Sequence, residues 1–404
     1  MANPTLKKIA VACQGGGMHA AFAAGVLKEI LEGYRKKKFE LAGLSGTSAG
    51  ALCALMVWYG LAPKKNAPHV LDDAIDDATT RLDQLWKDFV ACTSAENLLN
   101  SFTFGALRAE EMEIPLLGLS PRAFGLNPYA AAYNAFAAFL PGIGVRKQYF
   151  DLDELLAQAC PALKNKNIDW QKVTTRLLIG ASEVVNGLET VFDSDVNKSI
   201  QPENKGMQKG SQSMYWRQQL PLSLEGVAAS GTLPFLRDAE QIDGRYYWDG
   251  LYSQNPPVRE FLATSDPKNI PDELWIVRIN PQQWPYVPKS NKDIQDRQNE
   301  LMGNLSLNKE LDFILKVNEW KQRYAKEKFG RDHKIVTVRS IVMDKKIADN
   351  LSYSSKFDRS QAFMDEMCRE GRSVARKWLH DWGKKPGKGY PKKEYPEDAA
   401  YDSK

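Results

Sequence analysis

One stretch, residues 39–59, constrains the fold more than any other. Residues 39–44 are a short apolar run that reads as a strand. Gly46-Thr47-Ser48-Ala49-Gly50 then forms a turn, and residues 51–59 are apolar nearly all round. A helix with no polar face is buried on every side, so it belongs at the centre of the fold. The strand that feeds it must be interior as well.

A similar unit precedes it. Residues 9–13 form an apolar run that ends in Gly15-Gly16-Gly17. A helix follows, with Phe22, Val26, Leu27, Ile30 and Leu31 on one face and Gly33 expected as its C-terminal cap. Lys7-Lys8 before the run gives a faint look of a signal sequence ending in Cys13. The run is shorter than the roughly 7–15 residues of a signal core, so it reads as the first strand. The basic run 35–38 reads as a solvated loop, with contact to anionic lipid as the second option.

Residues 61–150 look like a helical insertion, with a polar helix over 72–89. The segment 124–145 is rich in aromatic and small residues. Tyr129, Tyr133, Phe136 and Leu140 fall on one helical face there, which suits either core packing or a lid over a lipid site. Further on, the pattern predicts a helix over 151–165 and a core strand over 174–181. Residues 189–193 continue the sheet or form a hairpin with it, and 194–213 read as a loop. A helix is expected over 224–229, a hairpin over 241–248, and a buried strand over 274–279. A long helix (294–327), a strand (335–342) and a last helix (359–382) close the chain, before a basic flexible tail, 383–404. Strands alternating with helices imply an α/β fold, a largely parallel sheet with helices on both faces. The expected organisation is one domain over 1–382, with 294–382 packed on it as a helix–strand–helix extension.

Composition narrows the function. The 404 residues carry 54 basic and 50 acidic side chains, a formal net charge of +4, too even for a nucleic-acid binder. The five cysteines are scattered and lack CxxC spacing, which argues against a disulfide scaffold or zinc site and for a reducing compartment. No run reaches the ~18 apolar residues of a membrane-spanning helix. A cytoplasmic protein is expected, with peripheral membrane attachment open. The sequence sets no oligomeric state.

Gly46–Gly50 is the one G-x-S-x-G in the chain, and it stands between a strand and a buried helix, the context this motif requires. Gly46 and Gly50 permit a tight turn that lifts the Ser48 hydroxyl above a helix N-terminus, where negative charge is favoured. Gly15, Gly16 and Gly17 offer unobstructed N–H groups, suited to an oxyanion hole. A dinucleotide loop is the rival, because Gly15, Gly17 and Ala20 fit G-x-G-x-x-G/A and Glu40 lies about 20 residues on. A nucleotide site leaves the serine turn unexplained. Two Asp-Gly pairs follow. Asp243-Gly244 reads as a hairpin turn. Asp249-Gly250 ends a strand, where a carboxylate can point into a site at the sheet edge. The four histidines are His19, His69, His333 and His380. None of the last three sits at a Gly-rich loop or strand end. His19 adjoins the Gly-rich loop and is expected to hydrogen-bond locally, not to act as base.

Together these motifs resemble the patatin-like phospholipases. The shared order is Gln14–Ala20, then Gly46–Gly50, then Asp249-Gly250, with echoes at 228–234, 180–183 and 354–358. The resemblance covers about residues 7–382. It implies a three-layer α/β/α sandwich and a Ser-Asp dyad, Ser48 and Asp249, that cleaves acyl esters of lipids without a metal or cofactor. The family loop usually carries Arg or Lys where His19 stands and Gly where Ala20 stands. A nucleotide-dependent oxidoreductase and an inactive lipid-binding protein of the same fold remain the alternatives. An absorbance spectrum with and without NAD tests the first, and a fluorophosphonate probe on Ser48 tests the second.

Overall fold

The computed structural model describes residues 6–111, 144–199, 216–234, 237–264, 267–284, 286–328 and 333–382. The segment 124–145, expected as lid or core, lies outside them except for its last two residues. Nine strands form one sheet: β1 (Lys8–Cys13), β2 (Glu40–Gly46), β3 (Arg176–Glu183), β4 (Glu189–Asp193), β5 (Arg217–Pro221), β6 (Glu240–Ile242), β7 (Arg245–Asp249), β8 (Glu273–Arg278) and β9 (Thr337–Val342). Their order is β5-β4-β3-β2-β1-β8-β9, with β7 paired to β3 and β6. The five strands β3, β2, β1, β8 and β9 run parallel to one another. The β3–β4, β3–β7 and β6–β7 pairs are antiparallel.

Alternation along the strands divides the interior in two. Ile9, Val11 and Cys13 of β1 and Trp275 and Val277 of β8 point into the larger core. Ala10 and Ala12, with Leu274 and Ile276, point into the smaller one. The longer helices are α1 (Ala21–Arg35), α2 (Ala49–Leu61), α3 (Leu71–Phe89), α4 (Ser94–Glu111), α5 (Leu152–Ala159), α6 (Leu224–Ser230), α7 (Asn291–Arg323) and α8 (Gln361–Trp382), and α1, α2, α3 and α8 pack on the larger side. On the smaller side, α7 supplies Leu307, Leu311 and Ile314. The result is the expected α/β/α sandwich with a mostly parallel sheet.

The all-apolar helix sits where its composition demands: every residue of α2 is buried. The last helix closes on the first at backbone distance. A Cβ on Gly25 of α1 would lie 2.1 Å from the Cys368 carbonyl oxygen, and one on Gly371 of α8 only 2.0 Å from that of Phe22. Among the described residues no helix is long and apolar enough to cross a membrane.

Three local expectations need correction. Gly33 does not cap α1, which runs on to Arg35; Lys37, at φ 52°, makes the left-handed turn. A Cβ at Gly33 would meet the Phe39 ring at 2.9 Å, so packing explains this glycine. The helix expected over 151–165 breaks at Cys160, because the residue before a proline is driven out of the helical region. Part of the loop expected over 194–213 is a short helix, Ser194–Ser199, with residues 200–215 outside the described set. Residues 189–193 do form the hairpin with β3, and Asp243-Gly244 is its tight counterpart between β6 and β7, with φ of 49° and 78°.

Candidate active site at the carboxyl edge of the sheet

β1 and β2 are parallel, and beyond a register shift between Ile9 and Ala10 they run together to Cys13 opposite Gly46. The two glycine-rich turns that leave them therefore emerge side by side at the same sheet edge. Thr47 and Ser48 join β2 to α2, and the φ of Ser48, 55°, lies in the left-handed region. A non-glycine residue held there stores strain, of order 1–3 kcal/mol, and such residues cluster at functional sites. Its N–H donates to Ser230 Oγ at 3.0 Å, and the residue is half-buried. Gly50 allows α2 to start directly against the first turn: a Cβ there would stand 2.4 Å from the Cys13 carbonyl oxygen and 2.5 Å from that of Gln14. Gly46 ends β2 under equal pressure, 2.5 Å from the Gly50 oxygen.

Sheet topology brings Asp249 to the same place. β2 pairs with β3 as far as Gly46 opposite Ile179, then departs into the turn. β4 occupies the other edge of β3. The vacated edge is taken by β7, whose last residue, Asp249, stands opposite Ala181. Asp249 is fully buried. Its Oδ1 accepts the Leu251 N–H at 2.8 Å, while Oδ2 is buried with no hydrogen-bond partner. Burial pushes the carboxyl up to about 7, and the Ser48 hydroxyl and the Leu251 N–H pull it the other way. The Ser48 hydroxyl is thus close enough to stabilise the carboxylate, yet the pair makes no hydrogen bond of full geometry. Catalytic pairs are often loosely aligned before substrate arrives. Gly250 follows against the Gly180 backbone, where a Cβ would sit 2.5 Å from the Gly180 oxygen.

The first turn is less uniform than its sequence. The Gly15 N–H is already donated to Asn255 Oδ1 at 2.6 Å, and a Cβ on Gly15 would press on the Thr47 oxygen and Ser48 Cβ at 2.7 and 2.8 Å. Gly15 is therefore where the loop abuts the serine turn, and its N–H is not free. Among the described residues no hydrogen bond engages the N–H of Gly16 or Gly17, and both residues are partly exposed. His19 is buried and lies 2.7 Å from Ser355 Oγ. Burial, then the nearby Lys356 cation, drives its pKa well below the ordinary histidine value, so it is neutral. Ser355 Oγ donates to the Ser352 carbonyl, so His19 Nε2 must be the donor in their contact. His69 and His380 are exposed, and no described hydrogen bond links either, or His333, to Ser48 or Asp249.

Glu40, the acid of the nucleotide reading, opens β2 opposite Lys8. The Gly-rich loop leaves the other end of β1, about 16 Å away at the usual rise per residue. Glu40 cannot serve a ligand at that loop. Two side chains that sequence reasoning assigned no role, Asn255 and Asn280, hold the loop by its polar atoms: Asn280 Nδ2 donates to the Gly15 carbonyl at 3.3 Å. Nothing local marks them, since they lie 240 and 265 residues from their partner.

Over residues 11–262 the sequence matches the family described as patatin-like phospholipase. No curated protein matches the chain. Among solved structures, VipD from Legionella pneumophila is similar over 94% of this chain and 67% of its own, at 12% identity and a TM-score of 0.37.

Proposed function

We infer that this chain, which belongs to the patatin-like phospholipase family, is a serine acyl hydrolase that cleaves lipid esters through Ser48 and Asp249. Members of the family act on lipid esters. The single observation that carries the reading for these residues is the fully buried Asp249 carboxyl, with an unpartnered oxygen beside a strained serine turn.

A carboxylate is ordinarily too weak a base for a hydroxyl. Burial raises Asp249 to about 7, near the operating pH, where a general base works best. In the proposed reaction Asp249 Oδ2 takes the Ser48 proton as Oγ bonds to the ester carbonyl carbon. The carbonyl electron pair moves onto oxygen. The free N–H groups of Gly16 and Gly17 receive that charge, with the α2 dipole behind Ser48 in support. Collapse expels the alcohol, which takes its proton from Asp249, and leaves an acyl-enzyme. Water then attacks in the same way, with Asp249 again as base, and a carboxylic acid departs.

Ser48→Ala and Asp249→Asn should each lower kcat/KM on a short-chain ester by about 10³-fold or more while the fold persists. Full activity in either folded variant would overturn the dyad.

A further inference from the structure

The oxyanion donors proposed above belong to peptides flanked by glycine, and glycine offers the least resistance to rotation of the adjacent peptide plane. The Gly15–Gly16 peptide has glycine on both sides. If it turned over, the Gly15 carbonyl would replace the Gly16 N–H, and an acceptor would face the developing oxyanion. The loop therefore needs an external hold.

The chain places one there through strand pairing. β8 runs parallel to β1 with Val277 opposite Cys13, so the residues after β8 exit beside the Gly-rich loop. Gln14 staples the two exits together: its Oε1 accepts the N–H groups of Ile279 and Asn280 at 3.0 and 3.2 Å, and its Nε2 donates to Asn304 Oδ1 at 3.0 Å. Asn304 Nδ2 in turn donates to the Pro281 carbonyl at 2.9 Å. The backbone around Asn280 is thus fixed on both sides, and its side chain is aimed at Gly15, where Nδ2 donates to the carbonyl. Chemistry fixes the amide's orientation, because a carbonyl only accepts. In a planar trans peptide the N–H points opposite to the C=O. Holding the Gly15 carbonyl on Asn280 therefore turns the Gly16 N–H the other way. Asn255 holds the preceding peptide by the Gly15 N–H.

We propose that Asn280 is a positioning residue that locks the Gly15–Gly16 peptide with its N–H presented to the oxyanion. This assignment rests on the acyl-hydrolase reading. Asn280→Ala removes the hold and leaves the peptide free to turn. Asn280→Asp sets a carboxylate against the Gly15 carbonyl and favours the turned-over state, so its loss is larger. A fully lost donor sets the ceiling, about 10²–10³ in kcat.

The test measures kcat and KM on a short-chain ester, inhibition by a trifluoromethyl ketone that mimics the tetrahedral oxyanion, and thermal unfolding. For Asn280→Ala kcat should fall on the order of 10- to 100-fold, with KM within about threefold. Asn280→Asp should fall further. Affinity for the ketone should drop in step with kcat, while the unfolding temperature changes little. A folded Asn280→Ala enzyme with kcat within threefold of wild type, or with a raised KM and unchanged ketone inhibition, overturns the clamp. If Asn280→Ala does not fold, Asn280→Leu, which keeps the volume but has no donor, carries the same readouts. Retained activity in Ser48→Ala would strike the acyl-hydrolase reading itself; a null result at Asn280 in an enzyme that needs Ser48 strikes only the clamp.

Discussion

Two carboxylates sit at opposite ends of the sheet, both buried, and their surroundings push them in opposite directions. Asp249, at the carboxyl edge, has one N–H donor on Oδ1 and nothing on Oδ2. Glu273 opens β8 at the other end. It receives Lys7 at 2.6 Å, Arg339 at 2.7 Å, and the indole N–H groups of Trp382 and Trp275 at 2.8 and 2.9 Å. Those indoles belong to an edge-packed aromatic cluster, with Trp275 ring centroids 4.6 Å from Trp378 and 5.2 Å from Trp382. Burial alone pushes both pKa values up. At Glu273 four donors outweigh it and hold the carboxyl below its usual range; at Asp249 they do not, and it rises to about 7. The number of partners separates a carboxylate that binds the fold together from the one proposed here as a base.

Two more polar atoms share this condition close by in the chain. Gln254 Oε1 and Asn255 Nδ2 are buried without partners a few residues from Asp249 in sequence. An unpaired buried polar atom costs on the order of 1–3 kcal/mol.

The sharpest way to break this contrast is to neutralise each acid and follow thermal unfolding at pH 8. Glu273→Gln removes the charge that Lys7 and Arg339 approach and should destabilise by about 3 kcal/mol, with activity per folded molecule within threefold. Asp249→Asn should do the reverse, gaining up to about 4 kcal/mol at pH 8 while losing turnover. The signs follow from linkage. The raised carboxyl binds its proton more tightly folded than unfolded, so Asp249 takes stability away as pH climbs from about 4 through 7. Glu273, held low, adds stability above the ordinary carboxylate range and gives it up as pH falls through its folded value. The advantage of Asp249→Asn should therefore vanish near pH 4. An equal loss of stability in both variants would erase the distinction.

The pH dependence of rate offers a second, gentler probe. The base must be ionised, so kcat/KM should climb with pH and level off above an apparent pKa near 7. A rise completed below pH 5 would mean that Asp249 is not raised or not the base.

The smallest effect is expected at the remaining imidazoles. Replacing His69, His333 and His380 together by Gln should leave turnover within about threefold. A collapse in a folded variant would point to a hidden histidine base.

Much of the site is readable along the chain because its pieces are local. A glycine-flanked serine before an all-apolar helix, a glycine run after a strand, and an Asp-Gly at a strand end each carry their meaning within a few residues. What holds them together is not local. Asn280 reaches Gly15 only because β8 pairs with β1, and Asn255 only because its loop returns under the sheet edge. Equal N–H groups in the sequence also become unequal in three dimensions: Gly15 spends its own on Asn255, and Gly16 and Gly17 do not. Gly33 misleads for the same reason, since the Phe39 ring that demands it lies across a turn.

The central claim, that Ser48 is a nucleophile made reactive by Asp249, is tested most directly by a fluorophosphonate probe read by intact mass and peptide mapping. Near pH 8 the wild-type chain should gain one phosphonyl adduct, mapped to Ser48. Ser48→Ala should gain none, and Asp249→Asn should react at least about 10²-fold more slowly. An adduct on another residue, or labelling of Asp249→Asn at the wild-type rate, would contradict the account.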